Sequence, residues 1–495
     1  MSVFDALLRE RTVPFTAQSP IMIIRFCVGL WFAFCVATAM ANDGSFDIQF
    51  GPNANGIHDF SLQFDTLPGS VGISRKVVEV PGRTIFEAPR YWVMTAFNPD
   101  PVTGVARAVA TARFTNSGLL DTTYGSFGIG KAVTAVSMDS VVHFAYTRWQ
   151  RSVGPTVTVF DRIFVLGSDQ FNSSPRLRLC SITPTAQLDP NFAASGCAGY
   201  RFEDFGGTTG GTVYGLHAVG ELLYIVADRR GASGERSVGV LRVNAENGTI
   251  DTSYGFAGYA SVSFPGTGLA FFARSTLDPS GRLLVLGDWT PDGVKTFGIA
   301  RLTSTGVTDG TFCADASSCG NSVGFQHLLT AAQIGVANNS VANAIVAATN
   351  RIFVAVQDSA TFGNGNVVAL REDGPLAAEF GPGGFRSVTT TSPALTTEIK
   401  SLYATPGGRV LLGGVAELNG GTPQDNRMLV SRLDRRGACD YDFCPRLDGL
   451  DTPRIFDITV DAAGRPLLLT DSLANGRVRL IRLGVQQDLL SNGFE

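Results

Sequence analysis

The stretch Leu120-Asp121-Thr122-Thr123-Tyr124-Gly125 returns almost letter for letter as Ile250-Asp251-Thr252-Ser253-Tyr254-Gly255. Five looser copies lie at residues 47–51, 189–192, 309–312, 377–381 and 440–443. The seven copies place an aromatic residue about every 65 residues along the chain. A single hydrophobic core stops growing at roughly 250 to 300 residues. The period therefore predicts that the 495 residues form a repeat architecture.

Two further elements recur between successive copies of this phrase. The first is a turn residue and a polar residue, usually arginine, followed by an apolar run, as in Gly281-Arg282-Leu283-Leu284-Val285. Another apolar stretch precedes each run, and two such stretches around a tight turn are typical of a β-hairpin. The second element is a strand with an arginine shortly before the phrase. Its seven arginines are Arg113, Arg178, Arg242, Arg301, Arg371, Arg432 and Arg482.

One more β-rich run follows each phrase, so each unit holds four strands. Units of about 65 residues with four antiparallel strands and no helical periodicity are typical of β-propeller blades. We therefore expect an all-β fold, a seven-bladed β-propeller. The chain begins with the run that follows a phrase and ends with the arginine strand. Residues 57–65 should consequently pair beside residues 455–483, and this N-terminal strand should close the last blade.

The phrase at Asp251, the stretch Asp278-Pro279-Ser280-Gly281-Arg282-Leu283-Leu284-Val285-Leu286-Gly287 and the following Ala300-Arg301-Leu302 resemble the delta-60 repeat, a bacterial propeller repeat. The resemblance extends over residues 43–483 and is weakest around Ala377, where the aspartate is missing. It implies a propeller fold and an exported bacterial setting. The delta-60 repeat has no agreed catalytic residues, so the resemblance implies none here.

The two ends of the chain differ in character from the repeats. Residues 1–41 resemble a signal peptide, with an apolar run at 26–36 and small residues before Asn42; Met22 is an alternative start. Residues 42–485 hold the seven repeats, and residues 486–495 form a C-terminal tail that ends in Ser-Asn-Gly-Phe-Glu. No later apolar stretch reaches the ~20 residues of a membrane-spanning helix. We expect a secreted, periplasmic or cell-surface protein without a membrane span in the mature chain.

Charge argues against several classes of partner. The chain has 39 Lys and Arg against 43 Asp and Glu, and its net charge is −4. Without a block of basic residues, neither nucleic acid nor a polybasic membrane surface is an expected partner. We expect a monomer that binds an extracellular protein or glycan.

Six cysteines follow the signal segment, and they fall into three couples that are close in sequence: Cys180 with Cys197, Cys313 with Cys319, and Cys439 with Cys444. An even number, local pairing and an exported chain favour three disulfides. Zinc sites are the alternative, but they need further Cys or His ligands near each couple, and the four histidines are scattered. No metal or other cofactor is predicted.

The repeated aspartates and aromatic residues have a structural interpretation. An aspartate or hydroxyl before an aromatic residue and glycine is typical of a turn whose side chain binds nearby N–H groups while the ring packs inward. The arginine strand could also supply a partner for the aspartate. Calcium binding is the less favoured alternative. The residues assigned to this role are Asp121, Tyr124, Asp189, Phe192, Asp251, Tyr254, Asp309, Phe312, Phe380, Asp440 and Phe443.

No catalytic motif is present, and no catalytic residue is assigned. Trp92, Trp149 and Trp289 could line a ligand-binding face, although blade packing is the more common role of such residues. The favoured function is a non-catalytic binding module. The alternatives are a secreted or periplasmic hydrolase or lyase with its active site at the propeller axis, and a structural component of the cell surface. Acidic residues and histidines clustered at one mouth of the channel would favour the enzyme, whereas an aromatic, charge-poor face would favour binding.

Overall fold

The structure is a computed structural model. It describes residues 45–60, 71–82, 87–97, 108–125, 128–136, 138–154, 156–171, 174–207, 212–231, 236–264, 272–315, 319, 326–358, 364–390, 395–418, 426–440, 446–448, 454–472 and 477–484. The predicted signal peptide, with the alternative start at Met22, the C-terminal tail, Phe443 and Cys444 lie outside these residues, as does the part of the closing strand after Phe60.

The described residues form strands and a few single turns of 3-10 helix. The strands are β1 (Ile57–Phe60), β2 (Val71–Val80), β3 (Arg90–Phe97), β4 (Ala108–Phe114), β5 (Lys131–Ala135), β6 (Ser140–Val153), β7 (Thr156–Phe171), β8 (Ser174–Ile182), β9 (Cys197–Arg201), β10 (Val213–Val219), β11 (Leu222–Arg230), β12 (Arg236–Asn244), β13 (Tyr259–Val262), β14 (Phe272–Leu277), β15 (Leu283–Trp289), β16 (Thr296–Leu302), β17 (Gln326–Thr330), β18 (Val341–Ala348), β19 (Arg351–Gln357), β20 (Gly365–Arg371), β21 (Phe385–Val388), β22 (Leu395–Ala404), β23 (Val410–Leu418), β24 (Arg427–Leu433), β25 (Arg446–Asp448), β26 (Ile455–Val460), β27 (Pro466–Ser472) and β28 (Arg477–Arg482). The 3-10 turns are Ala193–Ser195, Phe202–Phe205, Pro291–Gly293, Ala331–Ile334 and Pro382–Gly384.

These strands form seven four-stranded antiparallel sheets, so the protein is a seven-bladed β-propeller, as the repeats predict. Blades 1 to 6 each use four consecutive strands, from β2–β5 in blade 1 to β22–β25 in blade 6. Blade 7 uses β26, β27 and β28 with β1 as its outer strand. The first strand of each blade in chain order is the innermost one. These seven strands are β2, β6, β10, β14, β18, β22 and β26.

The ends of the chain close the ring in blade 7. Strand β1 pairs with β28 antiparallel, with Ile57 opposite Ile481. Just before β1, the Asp47 N–H donates to the Arg482 carbonyl at 2.9 Å, and Arg482 Nε donates to the Asp47 carboxylate at 2.8 Å. His58 Nδ1 reaches across to the Gly118 carbonyl of blade 1 at 2.6 Å. The predicted N-terminal closing strand is therefore confirmed, and it brings its own copy of the repeated phrase.

Apolar side chains fill the spaces between the blades rather than one common core. The described residues contain seven buried clusters, each formed by the facing sheets of two neighbouring blades. The cluster between blades 7 and 1 joins Phe50 and Leu467 to Tyr91 and Val93. A propeller thus buries a long chain through one interface per blade.

The repeated phrase links each blade to the next through one arginine. In blade 4, Arg301 Nε donates to Asp309 at 2.7 Å, Nη2 donates to the Thr311 hydroxyl, and the guanidinium lies 4.9 Å from the centre of the Phe312 ring. Its third nitrogen, Nη1, donates to the Glu372 carbonyl in the turn of blade 5 at 2.5 Å. The same arrangement is built on Arg113, Arg242 and Arg482, whose turn acceptors are the carbonyls of Pro184, Ser304 and Asn116.

The register corrects two of the predicted arginines. The N–H of the phrase aspartate donates to the carbonyl of the third-strand residue, which is Arg301 in blade 4. The equivalent N–H donates to the carbonyl of Ser181 in blade 2 and to that of Ala369 in blade 5, so these two residues occupy the position. Arg178 instead binds Asp169 within blade 2, and Arg371 pairs with Asp373 on the surface. The sequence alone does not show that Ser181 and Ala369 occupy this position, so the nearest arginine is assigned to it in each blade.

The two exceptional blades show that arginine and aspartate depend on each other. Blade 5, with Ala369 in place of the arginine, also has Ala377 in place of the aspartate. Blade 2 keeps Asp189, and there Arg162 in the middle of the second strand supplies the guanidinium at 2.5 Å. A buried charge without a partner is costly, which explains why neither member remains alone.

We expect Asp309→Ala to lower the free energy of unfolding by about 3 kcal/mol, because it leaves the buried Arg301 guanidinium without its acidic partner. In a double-mutant cycle with Arg301→Ala, the two changes should cost about 1–3 kcal/mol less than the sum of the single costs. Chemical denaturation of the oxidised protein measures this coupling. Arg371→Ala is the control, since its exposed pair should matter by less than about 0.5 kcal/mol. Strictly additive effects would contradict the paired role.

Candidate functional site

A cavity of about 860 Å³ lies on the propeller axis. The innermost strands of all seven blades line it, namely β2, β6, β10, β14, β18, β22 and β26. Its volume falls within the 300–1,000 Å³ that is usual for small-ligand sites. The position follows from the fold, because the ring of blades leaves a channel where the innermost strands meet.

Irregular pairing in the innermost strands falls on residues that line this cavity. Strands β10, β18, β22 and β26 each carry one extra residue relative to the second strand of their blade. The extra residues are Tyr214, Asn343, Lys400 and Phe456, and all four line the cavity. A β-bulge of this kind re-aims a side chain and is frequent near functional sites.

Hydrogen bonds join neighbouring innermost strands around the axis. His217 Nε2 and Ser275 Oγ are 2.7 Å apart across blades 3 and 4. Arg274 Nε donates to the Asn343 carbonyl at 3.1 Å, and the Asn343 amide donates to the Ile399 carbonyl at 3.0 Å. These bonds continue the ring from blade 3 to blade 6.

Two more contacts of the same kind lie on the other side of the axis. The Asp457 carboxylate of blade 7 accepts the Val77 N–H of blade 1 at 2.9 Å and lies 3.5 Å from Lys76 Nζ. His143 Nε2 lies 3.4 Å from the Val213 carbonyl, between blades 2 and 3. Most of the polar groups around the axis therefore hold blades together.

Arg274 is the one cationic residue of the described cavity lining that forms no ion pair, and Glu79 is the corresponding acidic residue. Lys76 pairs with Asp457, and Lys400 pairs with Glu398. Arg274 Nε and Nη1 donate to backbone carbonyls, but no acidic side chain among the described residues forms an ion pair with it. Its remaining nitrogen, Nη2, has no hydrogen-bond partner among the described residues. The cavity thus presents a guanidinium that an acidic ligand could neutralise.

Burial keeps the two axial histidines neutral. Desolvation lowers the pKa of His143 to about 4 and that of His217 to about 3, and the charge of Lys76 acts in the same direction on both. Desolvation also raises the pKa of Asp457, against the opposing effect of Lys76. Near neutral pH the histidines therefore add no charge to the cavity, where Arg274 and Glu79 are the charged residues without an ion-pair partner among the described residues.

The three tryptophans do not form a ligand-binding face. Trp92, Trp149 and Trp289 are only 1%, 5% and 2% exposed. Each ring packs against another aromatic ring, for example Trp149 on Phe160 and Trp289 on Phe264. The binding interpretation of these residues is wrong because they fill the interfaces between blades.

The phrase aspartates are occupied by hydrogen bonds and arginines. Asp121, Asp189, Asp251 and Asp309 each accept the N–H two residues further on. Their pairing with guanidinium groups satisfies the carboxylates, so none of these four offers an open oxygen set to calcium. The aromatic positions Tyr124, Phe192, Tyr254, Phe312 and Phe380 are buried to 1% exposure or less. Asp440 pairs with Arg432 at 2.7 Å.

The structure contains the disulfides Cys180–Cys197 and Cys313–Cys319. Cys439 is disulfide-bonded as well. The structure also brings His327 to Cys313 and Cys319, which the sequence did not indicate. Burial lowers the pKa of His327 to about 4.

Comparisons with known proteins do not assign a family. No protein-family model and no curated protein matches the sequence. Among solved structures, the chain is similar to the β-propeller domain of the Trilobed protease from Pyrococcus furiosus, at 8% identity and a TM-score of 0.40, with 87% of this chain and 100% of that chain covered. It is also similar to the soluble aldose sugar dehydrogenase from Escherichia coli, at 14% identity and a TM-score of 0.32, with 65% and 95% covered. Likeness at this level carries no argument about function.

The part of the chain that the structure describes contains no helix long and apolar enough to cross a membrane.

Sequence reasoning missed the axial residues. It treated the histidines as scattered, yet His143 and His217 both line the cavity, as do Glu79 and Asp457. The available signal was a polar residue in the first strand of a blade, where apolar residues are expected. Lys76, His143, Arg274 and Asp457 all stand opposite the same position of the second strand, but only the register reveals this.

We expect acidification to destabilise the protein, in part through His217. Between pH 7 and pH 4 the unfolded histidine binds a proton that the folded one does not, so stability falls as the pH falls. In His217→Gln the loss of unfolding free energy between pH 7 and pH 5 should be smaller, by on the order of 1 kcal/mol. Denaturation curves at several pH values measure the slopes. Equal slopes for both proteins would show that His217 is not held neutral.

Proposed function

We propose that the protein is an exported, non-catalytic binding module, and that its ligand is an oligosaccharide with a carboxylate group, bound in the axial cavity. The observation that carries this proposal is Arg274, a cavity residue whose guanidinium has no acidic partner among the described residues. A guanidinium binds carboxylates through charge-assisted hydrogen bonds, which are stronger than neutral ones. The export part rests on the signal-like segment 1–41 and agrees with the disulfides.

The composition of the cavity supports a sugar-like ligand. Tyr403 and Phe456 are the aromatic residues of the lining apart from the buried Tyr214 and Phe144 and the half-buried Tyr146, and Asn343 and Ser401 are polar residues of the lining. Aromatic and apolar walls with a few polar groups are typical of small-ligand sites. At 860 Å³ the cavity admits the end of a chain rather than a folded protein domain.

Binding explains the remaining groups better than catalysis does. His143 already contacts a backbone carbonyl, and Asp457 already accepts a backbone N–H while it faces Lys76. Groups engaged in this way lock neighbouring blades. The Arg274 guanidinium remains as the means of recognition.

The experiment titrates oxidised protein, residues 42–495, with oligogalacturonate, a neutral oligosaccharide of equal length and an acidic peptide, using calorimetry at low and moderate salt. We expect binding of oligogalacturonate alone, weakened by salt and weakened about 10- to 100-fold in Arg274→Gln, which loses a charged hydrogen bond. Arg371→Gln, at an exposed arginine outside the cavity, is the control and should bind normally. Equal binding of the neutral sugar, or an unaffected Arg274→Gln, would contradict the proposal. Binding of the peptide alone would move the function to protein recognition.

A hydrolase is the second candidate, and one observation favours it. Ser275 Oγ and His217 Nε2 are within hydrogen-bond distance in the cavity, the arrangement of a nucleophile and its general base. The lowered pKa keeps His217 unprotonated near neutral pH, but a pKa of about 3 also makes it a weak base. Against this candidate, no carboxylate among the described residues orients the histidine, as the third member of a triad would.

A fluorophosphonate probe separates the two candidates. If Ser275 is an activated nucleophile, the probe should label wild-type protein at one site and leave Ser275→Ala unlabelled. For the binding module we expect no labelling of either protein. Intact-protein mass spectrometry measures the adduct, and labelling that depends on Ser275 would overturn the non-catalytic assignment.

A further inference from the structure

Three metal-ligating side chains meet at the interface of blades 4 and 5. Cys313 Sγ, Cys319 Sγ and one ring nitrogen of His327 all lie within 4.8 Å of one another. The residues are 4%, 0% and 2% exposed. Within the part of the chain that the structure describes, this is the one group of three such residues placed so closely. It lies apart from the axial cavity.

The repeat itself positions these residues. Cys313 follows the phrase aromatic Phe312, and its N–H donates to the Asp373 carbonyl of blade 5 at 2.7 Å. His327 lies on β17, opposite Ile299 of β16. On the other side, Gly374 of blade 5 packs directly against the sulfurs, since a Cβ there would lie 2.4 Å from Cys313 Sγ. The three side chains are therefore held by backbone from two blades.

The imidazole ring of His327 is polar, although it is buried at the interface of blades 4 and 5. Neither ring nitrogen has a hydrogen-bond partner among the described residues, and the approach of the ring to the Gly374 carbonyl does not reach hydrogen-bond geometry. Buried polar groups are nearly always satisfied, so an unpartnered one needs an explanation, and an absent ion is one of those explanations. Both sulfurs lie within 4.8 Å of one ring nitrogen.

We propose that Cys313, Cys319 and His327 form a zinc site in the thiol form of the chain, and that disulfide formation closes this site. Two thiolates and one imidazole leave an open fourth position, as in three-ligand zinc centres. Binding replaces the two thiol protons by Zn²⁺ and releases them. Exchange with a disulfide oxidant then forms the Cys313–Cys319 bond, reduces the oxidant to two thiols, takes up two protons and frees Zn²⁺.

The site would act before oxidation, while the chain folds. Zinc would hold the two sulfurs side by side beside blade 5, in the position that the disulfide later fixes. The other described disulfide has no such partner: Cys180 and Cys197 stand opposite each other on β8 and β9, and no histidine of the described residues joins them. The proposal therefore predicts a difference between two disulfides of one chain.

The test uses the chain from residue 42 onward, produced in a reducing cytoplasm so that the thiols do not oxidise. Zn²⁺ is added, excess metal is removed, and bound zinc is released to a chromogenic chelator and counted. Co²⁺ replaces Zn²⁺ in parallel samples to report thiolate ligation by its charge-transfer absorption. We expect one high-affinity ion per reduced chain and none in the oxidised chain.

Variants show which residues hold the ion. Cys180→Ser/Cys197→Ser is the matched control and should retain the ion, whereas Cys313→Ser/Cys319→Ser should lose it. His327→Asn should weaken zinc binding by more than about tenfold and change the cobalt spectrum. Circular dichroism checks folding, and His327→Asn decides the question if the cysteine variant does not fold. Zinc binding that is unchanged in His327→Asn, or absent from the reduced wild type, would overturn the proposal. Neither result affects ligand binding in the axial cavity, which is measured on oxidised protein.

Discussion

The structure depends on one contact that is repeated around the ring, an arginine that binds the aspartate of its own blade and the turn of the next blade. Arg301 shows all parts of it, since one guanidinium contacts Asp309, Thr311, Phe312 and the Glu372 carbonyl. Arginine suits this role because its planar fork offers five donors in fixed directions. In the blades that keep this arginine, its directional bonds fix the orientation of the next blade, in addition to the apolar cluster between them.

This contact also explains why the ring closes with the N-terminal segment. Blade 7 has its arginine, Arg482, near the C-terminus, but no copy of the phrase follows it among the described residues. Asp47 and Phe50 at the other end of the chain supply the aspartate and the ring, and Arg482 then donates to the Asn116 carbonyl of blade 1. Closure by β1 thus completes a sheet, an ion pair and an interface in one step. Without it, a buried arginine and an open sheet edge would remain.

The fold could be predicted from the sequence far better than the site. The phrase recurs in every unit because every blade has to dock on the next, so blade number, closure and the pairing of Arg113, Arg242 or Arg301 follow from the repeat. The two wrongly assigned arginines, Arg178 and Arg371, lie in blades 2 and 5, where the pair is altered or absent. The axial contacts join strands of different blades, as in His217 with Ser275, 58 residues apart, or Lys76 with Asp457, 381 residues apart. The bulges at Asn343 and Lys400 leave no local sequence signal. The environment of the tryptophans could not be predicted, because the sequence does not show whether a large ring faces solvent or the next blade.

Two sets of polar contacts join the blades, one around the repeated phrase and one around the axis. The difference between them affects how the channel can be used. Blade 5 lacks the arginine–aspartate pair and still packs, because the apolar cluster with blade 6 remains. The inner contacts around the axis are fewer and are built from residues that differ in every blade. Stability is thus secured away from the axis by repetition, and the innermost strands can vary without loss of the ring. Arg274 occupies such a position. Two of its nitrogens bind the carbonyls of Asn343 and of Ala273 in its own strand, and the third is the one that we propose binds the ligand.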